Sequence, residues 1–221
     1  MNRLELLRKI NLLKYLYLNY FCKSVERKNH ARIIPYKHSV IEFEKGSRII
    51  VSGDIEIGTN LIKGSKAETR VRLRKNAIWN AEECCSLSYG TTLEVLDNGV
   101  LNTKYFTMNC NCTMIVASKI EIGHDVMIGR NVTIYDSDYH QIVNSLGKVL
   151  NNPKPVLIGN HVWLGTNSIV LKGSIVGKNS IVSAFAVVSG KVEPNVQYIP
   201  EIPKREIAVD GIWKREGFTF E

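Results

Sequence analysis

Between Ile158 and Val192 an aliphatic residue returns at every sixth position: Ile158, Leu164, Val170, Val176, Val182 and Val188. Glycine follows it at Gly159, Gly165 and Gly177, and the fifth place of successive hexads holds Val162, Ser168, Ser174, Ser180, Ala186 and Val192. A helix repeats near 3.6 residues and a pleated strand every two, so neither accounts for this spacing. Six, taken three times to a turn, describes a triangular solenoid: each hexad is a short strand plus a corner, and successive coils pair as parallel strands. The repeated aliphatic then fills the prism, the fifth place takes residues that fit a narrow interior, and glycine is expected where corner dihedrals are unusual. Run backwards, the phase meets Ile134, Ile128, Ile122, Val116 and Cys110; only His140 and Asn152 are polar in it, and both fall in one interruption. In a chain with 44% hydrophobic residues, a dozen apolar positions in phase would arise by chance roughly once in ten thousand.

The rest of the chain fits around that repeat. Leu4, Leu7, Ile10, Leu13, Leu16, Tyr17, Phe21 and Val25 recur at three and four without Gly or Pro, which predicts a helix over 1–30, ending near Lys28. Its wide apolar band suits packing against the open first coil, or an interfacial membrane contact helped by Arg3, Arg8, Lys9 and Lys14. The solenoid domain is expected over 31–221, with early irregular coils, no steady phase between Trp79 and Tyr89, a tail over 194–221, and a loop over 136–155. That loop is polar and holds Gly147, Pro153 and Pro155, so it should project from a corner. The fold class is therefore all-β, with one opening helix.

Composition narrows the partners. Twenty-nine basic against 21 acidic residues give a net charge of +8, which suits a polyanion such as coenzyme phosphates or an acidic glycan. No basic run with interleaved aromatics points to nucleic acid. Five cysteines without CxxC spacing read as thiols, Cys110 and Cys112 sharing an inward face, and no zinc site is expected. The opening segment lacks a cleavage site and its apolar run is broken by Arg8, Lys9 and Lys14, so a cytoplasmic location is expected.

Of five histidines, only His140 follows a carboxylate pair, Asp136 and Asp138, at the mouth of the projecting loop. An imidazole in such a loop either hydrogen-bonds locally or takes a proton from a hydroxyl and returns it to a leaving group, as acyl transfer to an alcohol requires. Asp136 or Asp138 would orient that ring, or instead bond backbone N–H groups; Asp138 would alternatively meet the acceptor. Trp163 is read as an exposed residue where a corner approaches the loop, since an indole would crowd a narrow prism. Gly165 is read as a corner glycine with an accessible N–H for an oxyanion, Thr166 being an equal contender.

The run DSDYH from Asp136 to His140, then PVLIGNHVWLG and hexads closing in KVEPNVQYIPEIPKR, resembles the hexapeptide-repeat O-acetyltransferases, especially those acting on capsular, sialic-acid or O-antigen polysaccharide. The resemblance covers roughly 93–213. It implies a left-handed parallel β-helix, acetyl-CoA as acyl donor, a carbohydrate acceptor, no metal, a homotrimer with sites between subunits, and His140 as general base with direct transfer. It also implies that Trp163 lines the site and that the oxyanion donor comes from near Gly165. Ser183, Ala184 and Gly190 would line the coenzyme channel, and Lys191, Lys204 and Arg205 would meet its phosphates. The closing run reads Pro200-Glu201-Ile202-Pro203-Lys204 where the family usually has Gly before Pro-Ala-Lys. Two other readings stay open: an N-acetyltransferase of a nucleotide-linked amino sugar, and a catalytically silent solenoid scaffold.

Overall fold

A computed structural model describes residues 9–200. Strands from successive coils stack into three parallel sheets. Sheet I runs from Val25–Arg27 to Lys191–Val192 and sheet II from Ile33–Pro35 to Gln197–Tyr198, with eight strands each; sheet III runs from Ser39–Phe43 to Val187–Val188 with seven. The chain visits I, II and III in turn, so the sheets are the sides of a prism with edges I–II, II–III and III–I.

The hexad phase holds where it was read. Ile122, Ile128, Ile134, Ile158, Leu164, Val170, Val176, Val182 and Val188 are all buried, as are all six fifth-place residues from Val162 to Val192. Outward neighbours alternate with them, as on a pleated surface with one buried face. Register explains why the phase fades toward the N-terminus. Trp163 pairs with Ile181, eighteen positions on, but Phe106 pairs with Val126, twenty on, and Val100 with Ile78, twenty-two back. These coils exceed three hexads, and their wider interior holds a whole indole: Trp79 is fully buried, its Nε1–H donating to Thr103 Oγ1 at 3.0 Å. The expectation that an indole would crowd the prism applies only to the eighteen-residue coils.

The corners correct one reading. Left-handed φ values belong there mostly to asparagine, as at Asn111, Asn131, Asn167, Asn179 and Asn195, whose short polar side chain tolerates that region. The glycines that follow the aliphatic serve close approach instead. A Cβ at Gly165 would stand 2.6 Å from Ala184 N and one at Gly177 2.4 Å from Pro194 N, so any side chain would push the coils apart.

Two boundaries move. The described part of the opening helix is a short α-helix, α1 (Leu12–Leu16), running into a π turn over Tyr17–Phe21, and Val25–Arg27 already pairs with Ile49–Val51. The solenoid thus begins at Val25 and not at 31, because exposed backbone groups of the next coil reward pairing more than a further helical turn would. The helix caps the first coil through Asn19, whose amide gives to Ile33 O at 2.7 Å and accepts from Ile33 N at 2.9 Å, copying a strand neighbour. Leu18 is buried beneath it, while Leu13, Tyr20 and Phe21 face outward. Arg3 and Arg8 lie outside the described residues. Cys85, Cys110 and Cys112 are buried thiols; burial pushes the Cys112 thiol up to about 11, so it stays protonated at neutral pH.

Candidate active site

The projecting loop leaves sheet III after Thr133–Tyr135 and rejoins sheet I at Val156–Ile158, which places it on the III–I edge. Asp136 roots it. Its side chain is fully buried, and its oxygens accept from the N–H groups of Ala117, Ser118 and Lys119, each at 2.7 Å. The carboxylate is spent on the preceding coil, so the backbone-bonding reading of Asp136 describes its contacts and the ring-orienting one does not. Removing it would strand three donors. Asp136→Ala is therefore expected to lower unfolding stability by roughly 3 kcal/mol or more, read as a shift in denaturant midpoint.

Beyond Asp136 the loop folds on itself, with an antiparallel bridge between Val143 and Val149 and Leu150 N donating to Ile142 O at 2.8 Å. His140 N donates to Asp138 O at 2.7 Å across Tyr139, whose φ is +68°. A bulky residue in that region is strained and must be held there. Asn151 holds it: its Nδ2 reaches both His140 O and Asp138 Oδ2 at 2.8 Å, while Lys172 Nζ bonds the same Asp138 oxygen. Tyr139 meets the His140 ring edge-on at 5.6 Å between centroids. The imidazole nitrogens make no hydrogen bond among the described residues, and the ring is exposed. Asp138 is thus a clamp on the turn that presents His140. Tyr139 stands within the DSDYH run without a role of its own being read there, while Asn151 and Lys172 have no repeat or motif signal, and only their packing reveals them.

The bonds from Lys172 and then Asn151 hold the Asp138 carboxyl below its usual range. A depressed pKa adds order that is complete above the unfolded value and is lost as pH falls through the folded one. Proteolysis of the loop should therefore stay slow from neutral pH down through the ordinary carboxylate range and quicken only below it. Lys172→Met should move that rise to higher pH.

Trp163 is not at a corner near the loop. It sits outward in the middle of sheet II, 46% exposed, between Met127 and Ile181. Sheet II faces away from the III–I edge, so one chain does not bring Trp163 and His140 together. Beside the indole lies a pocket of about 320 Å³ that His161 and Asp125 help to line. His161 Nδ1 lies 2.6 Å from Asp125 Oδ2; a carboxylate only accepts, so Nδ1 donates, and Nε2 has no partner among the described residues.

Gly165 loses its assigned role, since its N–H is given to Val182 O at 2.7 Å. The N–H groups of Thr166 and, one coil on, Ala184 find no acceptor among the described residues. Thr166, Ser183 and Ala184 share the II–III edge, and exposed Phe185 adjoins them with φ +60°. Gly190 and Lys191 stand on the III–I edge with the loop, Lys191 paired to Glu193 at 2.8 Å. Lys204 and Arg205 lie outside the described residues. Two half-sites result: a histidine loop on one edge, and, on the opposite face and its border, an indole with N–H donors unpaired among the described residues.

Residues 155–190 match the bacterial transferase hexapeptide family, six repeats. That stretch carries the repeats of the family. The chain is 37% identical over 90 residues to a polysialic acid O-acetyltransferase of Neisseria meningitidis, covering 40% of this chain and 39% of that one. It is 30% identical over 111 residues to the galactoside O-acetyltransferase of Escherichia coli K12, covering 49% and 50%. The chain thus spans two fifths to one half of the length of these relatives. The crystallised polysialic acid O-acetyltransferase OatWY superposes with a TM-score of 0.52 at 22% identity, covering 83% of this chain and 93% of that one. The shared architecture is the left-handed parallel β-helix.

Proposed function

We propose that this protein is an acetyl-CoA-dependent O-acetyltransferase that esterifies a hydroxyl of a surface-polysaccharide sugar. The observation that carries it is the pair of half-sites: an exposed imidazole on a clamped turn, and, beside an exposed indole, N–H donors unpaired among the described residues. His140 takes the proton from the acceptor hydroxyl, whose oxygen attacks the thioester carbonyl carbon. The Thr166 N–H steadies the oxyanion, while Ala184, about 4.8 Å further along the edge, offers its N–H to a pantetheine carbonyl. The carbon–sulfur bond then breaks, and imidazolium returns its proton to the departing sulfur, leaving an acetyl ester and free coenzyme. Ser183 is small enough to let the pantetheine arm lie along the coils, and Trp163 walls the reacting centre.

Because the half-sites lie on different sides of one prism, a complete site takes its loop from one copy and its indole and N–H donors from the next. A homotrimer closes that arrangement around a three-fold axis. Exposed apolar groups stand on both parts: Ile142, Val143, Leu146 and Leu150 on the loop, Met127 and Ile181 on sheet II. The outward Leu13, Tyr20 and Phe21 support a peripheral membrane contact near lipid-linked glycan; no described helix is long and apolar enough to cross a membrane.

Incubation with acetyl-CoA and candidate saccharides, read by mass spectrometry, tests the proposal. A gain of one acetyl on a hydroxyl acceptor is the expected result. Acetylation of amino sugars alone would establish the N-acetyltransferase instead, and no transfer at all would leave the scaffold.

A further inference from the structure

The second coil is longer than any of its neighbours. Ile55 pairs with Cys85, thirty positions on, against twenty-one from Cys85 to Phe106. Much of the excess is an insertion over 60–68 on the II–III edge, the edge that carries Thr166 further along. It overhangs a cleft of about 790 Å³ that also reaches Tyr36, Lys37 and Ser86.

The chemistry of the cleft is selective. Lys37, Lys63 and Lys66 border it, and none of their ammonium groups meets a carboxylate among the described residues. The one acidic lining residue, Glu56, accepts from Tyr36 Oη at 3.0 Å, and burial, with Glu56, pushes that phenol up to about 12, so the pair stays hydrogen-bonded at neutral pH. Hydroxyl and amide groups form the floor: Thr59 Oγ1 lies 3.1 Å from Ser86 Oγ, and Asn60 Nδ2 donates to Ser88 Oγ at 3.1 Å. Ile62 supplies an exposed apolar wall. Of the rings that line the cleft, Tyr36 is 8% exposed, which leaves a nucleotide base only the exposed His38 imidazole to stack on, and that ring's nitrogens serve the hydroxyls of a sugar equally well. Hydroxyls, an amide and point cations suit a sugar that carries a carboxylate.

Sheet register joins this cleft to the transfer face. The outward row runs Glu56, Ser86, Thr107, Met127, Trp163, each the paired partner of the next. From Ser86 to Trp163 is three strand spacings, about 14 Å, over a surface that passes from hydroxyl to apolar. A single sugar does not span that length, whereas a chain of several does.

We infer that the cleft beneath the 60–68 insertion is a distal subsite for an acidic saccharide, so that the acceptor is an oligomer laid along sheet II with its reacting unit at Trp163. The position of the reacting unit rests on the proposed function; the binding site does not.

The test uses the full chain without coenzyme, titrated with sialic acid monomer, a long α2,8-linked sialic acid oligomer, a neutral dextran oligomer of equal length, and a sulfated heparin fragment. The long oligomer should bind at least tenfold more tightly than the monomer or dextran, and Lys63→Ala/Lys66→Ala should weaken it roughly tenfold. The control Lys45→Ala/Lys75→Ala, on another edge, should leave binding unchanged. Equal loss in both double variants, preference for the heparin fragment, or tight binding of thymidine diphosphate in the same cleft would overturn the inference. Where transfer is observed, the cleft variant should raise KM for the oligomer and leave the monomer's KM and kcat alone. Absence of all transfer would sink the proposed function while leaving the binding result standing.

Discussion

Acetyl transfer by His140→Ala should fall about a thousandfold below that of the unaltered chain, with the unfolding midpoint unchanged. The expected loss is large because no other histidine is held on that turn, and water supplies a far weaker base. The unchanged midpoint follows from contacts. The exposed imidazole makes no hydrogen bond among the described residues, and the bonds that shape the turn, His140 N to Asp138 O and Asn151 Nδ2 to His140 O, use backbone atoms that alanine keeps. Steady-state transfer to a saccharide, alongside thermal unfolding, checks both halves. Asn151→Ala provides the contrast: with the ring present but the Tyr139 turn unclamped, the loss should fall on kcat, by roughly tenfold or more. If His140→Ala turns over acetyl-CoA onto saccharide as fast as the parent, the base lies elsewhere and the two-edge site is wrong.

How far the sequence led depends on which interactions are periodic. Val170, Val176 and Val182 announce the prism because each repeats the same inward demand, and eighteen-residue coils cannot drift. Trp79 hides it, since coils of twenty-two residues satisfy the same packing with bulkier contents and no fixed phase. At the corners two constraints look alike in a sequence: Gly165 is required by the approach of Ala184, while the left-handed dihedral falls to Asn167. At the site, His140 stood out as a histidine after two aspartates, but their labour was indivisible by spacing. Asp136 anchors backbone and Asp138 clamps with Lys172, thirty-four positions away, a pairing that only the stacking of coils creates. Exposure of Trp163 follows from the narrow prism, but its side does not: the stacking of coils sends the indole to sheet II and the loop to the III–I edge.

That separation yields the second large effect. Take His140→Ala and Trp163→Ala chains, each nearly inactive alone, and allow them to assemble together. If every site draws its imidazole from one subunit and its indole from the next around a closed ring, random mixing leaves about one interface in four with both groups intact. The mixture should therefore recover about a quarter of parental activity per site, from two preparations that have almost none. A site contained within one chain gives no recovery at any ratio, because every chain then lacks one essential group. Purification through two different tags would enrich mixed rings. Each such ring would hold at least one repaired interface, since around any ring of both kinds a chain with His140 must somewhere precede one with Trp163. Recovery that rises with the mixed fraction would place catalysis between subunits, and a flat line at zero would return it to a single prism.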